Sequence, residues 1–173
     1  CLSNLFYKKR NSIGVISKYV NLHKDSKISH NVQIDDFTTI YENSQINNNV
    51  IIESNCSVGP NVLIEENVLI SSNCNLSNCI IGKNTILKPG VVIGGEGFGF
   101  ELNSKKRIRH FGNVIIGKNC YIGANTSIDR AVLDSTIISD YCNLDNLIQI
   151  AHNVIIGKYG VIAAQVGIAG STI

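Results

Sequence analysis

Charge is what this 173-residue chain has little of: charged residues make up 16% of it, and the net charge is only +2. No stripe of Lys and Arg runs through its body, which argues against a nucleic-acid-binding surface. Long apolar runs are missing too. Hydrophobic residues reach 44% but fall singly and in pairs, so no stretch approaches the ~20 residues a bilayer span needs. The opening CLSNLFYKKR has no signal-peptide core. Six cysteines form no CxxC pair and no ligand spacing with the four histidines, which argues against a zinc site or a disulfide framework. They read as free thiols of a cytoplasmic protein. A start on Cys1 without methionine reads as a fragment.

What the sequence does contain is a period of six. Ile28, Ile34, Ile40, Ile46, Ile52, Val58, Ile64, Ile70 and Leu76 are each six apart, and after one five-residue step the ladder resumes at Ile81, Leu87 and Ile93. A second run comprises Ile116, Ile122 and Ile128, then Ile138, Leu144, Ile150, Ile156, Ile162 and Ile168. Six matches neither the 3.6 period of a helix nor the two-residue alternation of a long strand. It matches a short strand plus a corner. Three hexads close one coil of eighteen residues, and stacked coils pair their strands in parallel about 4.8 Å apart with the aliphatic inside. Four residues after the aliphatic comes a small or β-branched side chain, such as Val32, Thr38, Ser44, Thr85 or Thr126. Cys56, Cys74, Cys120 and Cys142 share that place and read as buried small hydrophobes. Three residues after it comes Asn, at 31, 49, 55, 61, 67, 73, 84, 119, 125 and 153, as corners with positive φ prefer.

The rhythm breaks twice. GGEGFGFELNSKKRIRHFGNVI separates Ile93 from Ile116, an excursion at about 94–115, and extra residues enter near Asp129 to Asp134. Insertions in a solenoid are expelled as loops, often on the binding face. GGEGFGF is no phosphate loop, because GxxxxGK[ST] is absent, and it reads as a hairpin with two aromatics. Lys105, Lys106, Arg107, Arg109 and His110 read as a basic tip, either solvated or facing a phosphate or acidic partner. The first twenty residues show no hexads, and Leu2, Leu5 and Phe6 suit the end of a preceding element.

One histidine stands out against the ladder. His152 falls two places after Ile150, where side chains point out of a coil, and an exposed imidazole can accept a proton near neutral pH. His30 occupies the same hexad position in ISHNV, so position alone does not separate the two. His152 has Asp145, Asn146 and Gln149 close upstream. Adding eighteen lands on Gly170, whose N–H would suit an oxyanion if it is not merely a corner glycine.

Taken in order, GGEGFGF, IGANTSIDRAVLDST, LDNLIQIAHNVIIG and AAQVGIAGST resemble the UDP-3-O-acylglucosamine N-acyltransferases of lipid A biosynthesis, within the hexapeptide-repeat acyltransferases. The likeness runs from about Ile28 to the end. It implies an all-β fold, a left-handed parallel β-helix over 23–173 in a homotrimer, with 1–22 the tail of an N-terminal uridine-binding domain and further coils, a second site histidine and helices after Ile173. Handedness comes from the resemblance alone, since parallel crossovers are ordinarily right-handed. The resemblance also implies His152 as general base, Gly170 as backbone oxyanion donor, and Asp145, Asn146, Gln149 and Asn153 as sugar contacts. It implies no bound cofactor and no metal: the 3-hydroxyacyl donor rides on the phosphopantetheine of acyl carrier protein. Other readings are a UDP-N-acetylglucosamine O-acyltransferase, an acetyl-CoA-dependent relative, or a catalytically silent β-helix scaffold.

Overall fold

The computed structural model describes residues 10–173, so Leu2, Leu5 and Phe6 lie outside it. Among the described residues there are 22 strands, most of two residues, and no helix. None of the structure is therefore a helix long and apolar enough to cross a membrane.

The chain winds through three parallel sheets in turn, each strand pairing with the one a coil away. Face one holds Asn21–Leu22, Thr39–Ile40, Ser57–Val58, Asn75–Leu76, Val92–Glu96, Ser127–Arg130, Gln149–Ile150 and Gly167–Ile168. Face two starts at Lys27–Ile28 and ends at Ile155–Ile156; face three starts at Gln33–Ile34 and ends at Val161–Ile162. This is the parallel β-helix that the period led us to expect, and the left-handed one that the resemblance implied.

The aliphatic ladder is the core. Ile34, Ile52, Ile70, Leu87, Ile122 and Leu144 are wholly buried on one face, and Ile93, Ile128 and Ile150 on another, each stacked on its like in register. Such burial contributes about 1.5–3 kcal/mol per side chain. Cys56, Cys74, Cys120 and Cys142 fill the interior beside it as the spacing led us to expect, and Cys79 joins them. Burial pushes the Cys79 thiol up to about 12, so it is a packing group and no nucleophile. Buried hydroxyls reach the backbone: Thr85 Oγ1 donates to Gly117 O at 2.9 Å and accepts from Cys120 N at 3.1 Å.

All ten corner asparagines expected from the spacing have φ between +52° and +63°. An ordinary L residue pays about 1–2 kcal/mol there, whereas the Asn side chain finds local partners. Here those partners are other asparagines: Asn31 Nδ2 donates to Asn49 Oδ1 at 2.8 Å, and Asn49 Nδ2 to Asn67 Oδ1 at 3.2 Å. Where aromatics take the corner they stack, as Tyr141 and Tyr159 do at 5.1 Å.

Coiling starts before residue 23. Ile16 bridges to Ile34 and Asn21–Leu22 pairs with Thr39–Ile40, continuing the six-residue step backwards from Ile28. Tyr19 and Asp25, in place of a corner Asn, hid these two rungs from a reading of periodicity.

Candidate active site

Both breaks in the period fall on one corner. The excursion leaves face one at Val92–Glu96 and rejoins face two at Asn113–Ile116, while the second insertion joins Ser127–Arg130 on face one to Ser135–Ile138 on face two. These strands are longer than their neighbours because the inserted segments pair with each other: Gly95 with Asp129 and Glu96 with Arg130, past a bulge between Ile93 and Gly95. The excursion is a hairpin, as expected, with Phe100 bridged to Arg107 and the rings of Phe98 and Phe100 edge to face at 5.0 Å. Its root returns onto the second insertion through Phe111 N–H to Val132 O at 2.9 Å and Gly112 N–H to Ala131 O at 3.0 Å.

His152 follows Gln149–Ile150 and so stands on this same corner, one coil above the second insertion. His30 follows Lys27–Ile28 and stands on the corner between faces two and three, exposed and away from both insertions. Position in the hexad left the two equal; position around the coil separates them.

His152 is half-buried, and its tautomer follows from its neighbours. Asn153 Nδ2 donates to Leu133 O at 2.9 Å, and Asn153 Oδ1 accepts from Val132 N–H at 3.0 Å. The atom 3.1 Å from His152 Nδ1 is that oxygen, so Nδ1 must carry the hydrogen and donate. The lone pair is left on Nε2. A Cβ built on Gly170 falls 2.7 Å from His152 Nε2, so the glycine covers that nitrogen with bare backbone. Counting one coil upward placed Gly170 above His152, and Ser171 N–H to His152 O at 2.9 Å shows the stacking. The left-handed corner residue is Ser171, with φ +62°, so Gly170 is not there for its φ.

The other expected residues divide. Asn153 has both amide atoms engaged inside the chain, as above, and acts on the orientation of His152. Asp145 and Asn146 sit on the opposite corner, between faces three and one, up to about 20 Å of chain from His152. There Asn146 Oδ1 accepts from Ala124 N–H at 2.8 Å and Asp145 Oδ1 from Asn146 N–H at 2.8 Å. Gln149 lies exposed on face one between the two corners.

His110 is a correction. The basic run read it as part of an exposed tip, but the hairpin turns at 101–105 and His110 lies at the root, 2% exposed. Its ring meets His152 edge to face at 5.3 Å. No spacing signal foretold that meeting, since 42 residues and an insertion separate the two. Arg107 and Arg109 are also less free than the run implied: with Arg130 they pair to Glu96, at 3.5, 3.4 and 3.0 Å. Desolvation raises the Glu96 carboxyl, but Arg109 and Arg130 outweigh it and hold it below its ordinary value. Lys105 and Lys106 remain exposed at the turn. Among the described residues no three His, Cys, Asp or Glu side chains gather as a metal site would require.

The bacterial transferase hexapeptide family model (six repeats) matches residues 25–60 and 61–95. Over 97 residues the chain is 55% identical to UDP-3-O-acylglucosamine N-acyltransferase 2 of Legionella pneumophila (strain Lens), covering 55% of this chain and 28% of that one. Over 100 residues it is 50% identical to UDP-3-O-acylglucosamine N-acyltransferase of Rickettsia conorii (strain ATCC VR-613 / Malish 7), covering 57% and 29%. The matched stretch thus spans under a third of those relatives' length. Among solved structures, a UDP-N-acetylglucosamine acyltransferase from Bacteroides fragilis 9343 superposes with a TM-score of 0.64 at 25% identity, over 91% of this chain and 54% of that one. The acetyltransferase domain of PglB from Neisseria gonorrhoeae FA1090, at 16% identity and a TM-score of 0.55 over 75% of this chain and 55% of that one, shares the fold. The chain is a β-helix built on hexapeptide repeats, similar over about a hundred residues to the UDP-3-O-acylglucosamine N-acyltransferases.

Proposed function

We propose that this chain carries the catalytic corner of an N-acyltransferase that moves a 3-hydroxyacyl chain from acyl carrier protein to the 2-amino group of UDP-3-O-acylglucosamine, a step of lipid A biosynthesis. The observation that carries the reading is the His152 Nε2 lone pair, set by the Asn153 contact and facing the bare backbone of Gly170.

In this reading the amine nitrogen attacks the thioester carbonyl while Nε2 takes its proton. The carbonyl oxygen becomes an oxyanion, and the Gly170 N–H donates to it. Collapse breaks the C–S bond, and His152 returns the proton to the departing phosphopantetheine thiolate. No covalent enzyme intermediate forms. Gly170 suits the donor role through its place in the hexad. At the second residue after the ladder aliphatic, other coils fill the N–H with a side-chain oxygen: Lys83 N–H with Glu65 Oε2 at 2.9 Å, Lys118 N–H with Asp140 Oδ1 at 3.1 Å, Ser72 N–H with Glu53 Oε2 at 3.0 Å. That N–H points sideways, out of the ladder, toward whatever lies along the corner.

Asp145, Asn146 and Gln149 contact the sugar from the neighbouring chain of a homotrimer, because within one chain the width of face one keeps the first two from His152. Buried thiols with no disulfide suit the reducing cytoplasm, where we place the protein.

The test is acyl transfer by the full-length protein with His152→Ala and His30→Ala in parallel. Loss of a general base costs about 10²- to 10⁴-fold, expected for the first variant alone. Equal activity in wild type and both variants would sink this mechanism and leave His152 an outward histidine on a structural ladder.

A further inference from the structure

The wall behind His152 contains two titratable groups that the reaction above does not use. His110 Nδ1 lies 3.1 Å from Ile108 O, and a carbonyl only accepts, so Nδ1 carries the hydrogen and Nε2 the lone pair. That Nε2 is buried and has no hydrogen-bond partner. A Cβ built on Gly97 would lie 3.0 Å from His110 Nε2, 3.3 Å from Asp129 Oδ2 and 3.4 Å from His152 Cβ. Three titratable side chains therefore converge under Gly97, which approaches His152 at its Cβ whereas Gly170 approaches it at Nε2.

Charge shows what they do there. Glu96 is already shared among Arg107, Arg109 and Arg130, which leaves this corner with an excess of positive charge hostile to an imidazolium. Asp134 is exposed, and Asn153, Gly170 and Ser171 bring no charge from the coil itself or the coil above. Asp129 is then the carboxylate facing the histidine pair. Burial raises its pKa, and the fields of His110 and His152 work against that rise.

Resting on the transfer reading for its catalytic meaning, we propose that Asp129 and His110 are positioning residues for His152: the Asp129 carboxylate stabilises the imidazolium that His152 becomes, and the His110 ring, held by its Nδ1–H on Ile108 O, locks the His152 ring edge to face. The proton taken from the amine stays on His152 and goes out with the thiol, so Asp129 changes only the energy of that state. Asp129 carries no proton away.

The experiment is an NMR pH titration of full-length protein labelled at histidine ring nitrogens, comparing wild type with Asp129→Asn, His110→Phe and His110→Gln. We expect the His152 midpoint to move to lower pH by about half a unit or more in Asp129→Asn. His110→Phe keeps a ring edge to face with His152 and should leave its signal in place, while His110→Gln, which has no ring, should disturb it. A His152 midpoint unchanged in Asp129→Asn overturns the proposal. Transfer assays on the same samples keep the two readings apart. A shifted midpoint in a protein that transfers no acyl group would sink the transferase reading and leave the positioning pair standing. In an active protein, kcat should fall about tenfold or more in Asp129→Asn with KM unchanged.

Discussion

Replacing Gly170 by Ala adds one carbon 2.7 Å from His152 Nε2 and 2.8 Å from Cε1. Ordinary contact needs about 3.4 Å or more, so the imidazole must retreat by roughly 0.7 Å. A retreat of this size at the reacting atom approaches the 1 Å misplacement that costs about 10²-fold, so kcat/KM should fall by about that factor, or ~2.7 kcal/mol. Stability should barely change. The φ at Gly170 is not left-handed, the clash is with the end of a side chain, and Gly→Ala at a compatible site gains about 0.4–1 kcal/mol through the unfolded state. The assay is acyl transfer beside a denaturant melt, both on full-length protein, with Gly157→Ala as control. Gly157 has nothing within 4 Å of a built Cβ and an ordinary φ, so its variant should match wild type in both measurements. Full activity in Gly170→Ala, or an equal loss in Gly157→Ala, would refute the reasoning.

Two further outcomes follow from the same corner. Gly94→Ala should cost more than about 3 kcal/mol in a chemical melt, because its φ is +86° and a Cβ would fall 1.7 Å from the Ser77 carbonyl oxygen, a backbone atom that cannot yield. Stability against pH should also carry a mark of Asp129. Its folded pKa is raised above the ordinary 3.8, so in that window the folded state binds more protons than the unfolded one and this group's contribution falls as pH rises through the folded value. Asp129→Asn removes the term, so the stability of the variant minus that of wild type should climb across the acid range and then level; a flat difference would contradict the shift.

Residue order alone carried a great deal here, because a coil repeats by translation. Each rung makes the same demand, an aliphatic inward, a small residue beside it, an Asn at the corner, and eighteen residues later the demand returns. Periodicity therefore exposed the core ladder, the buried cysteines, the left-handed asparagines and the stacking of Gly170 on His152. The rungs Ile16 and Leu22 escaped notice because Tyr19 and Asp25 stand where a corner Asn recurs in later hexads.

What sequence order left open was decided where translation fails. Two insertions of unequal length restart the count, so no arithmetic on residue numbers reveals that both emerge at the corner of faces one and two, that they pair with each other, or that they fold His110 and Asp129 behind His152. His30 and His152 are alike along the chain and unlike around the coil, a difference that exists only once three faces have closed. Two residues of the apparent basic tip became ion-paired for the same reason, since strand pairing across the bulge sets Glu96 beside Arg130 and the returning hairpin brings Arg107 and Arg109 onto the same carboxylate. Local spacing determined the scaffold because its contacts repeat every coil; the site was left to the tertiary structure because its contacts occur once.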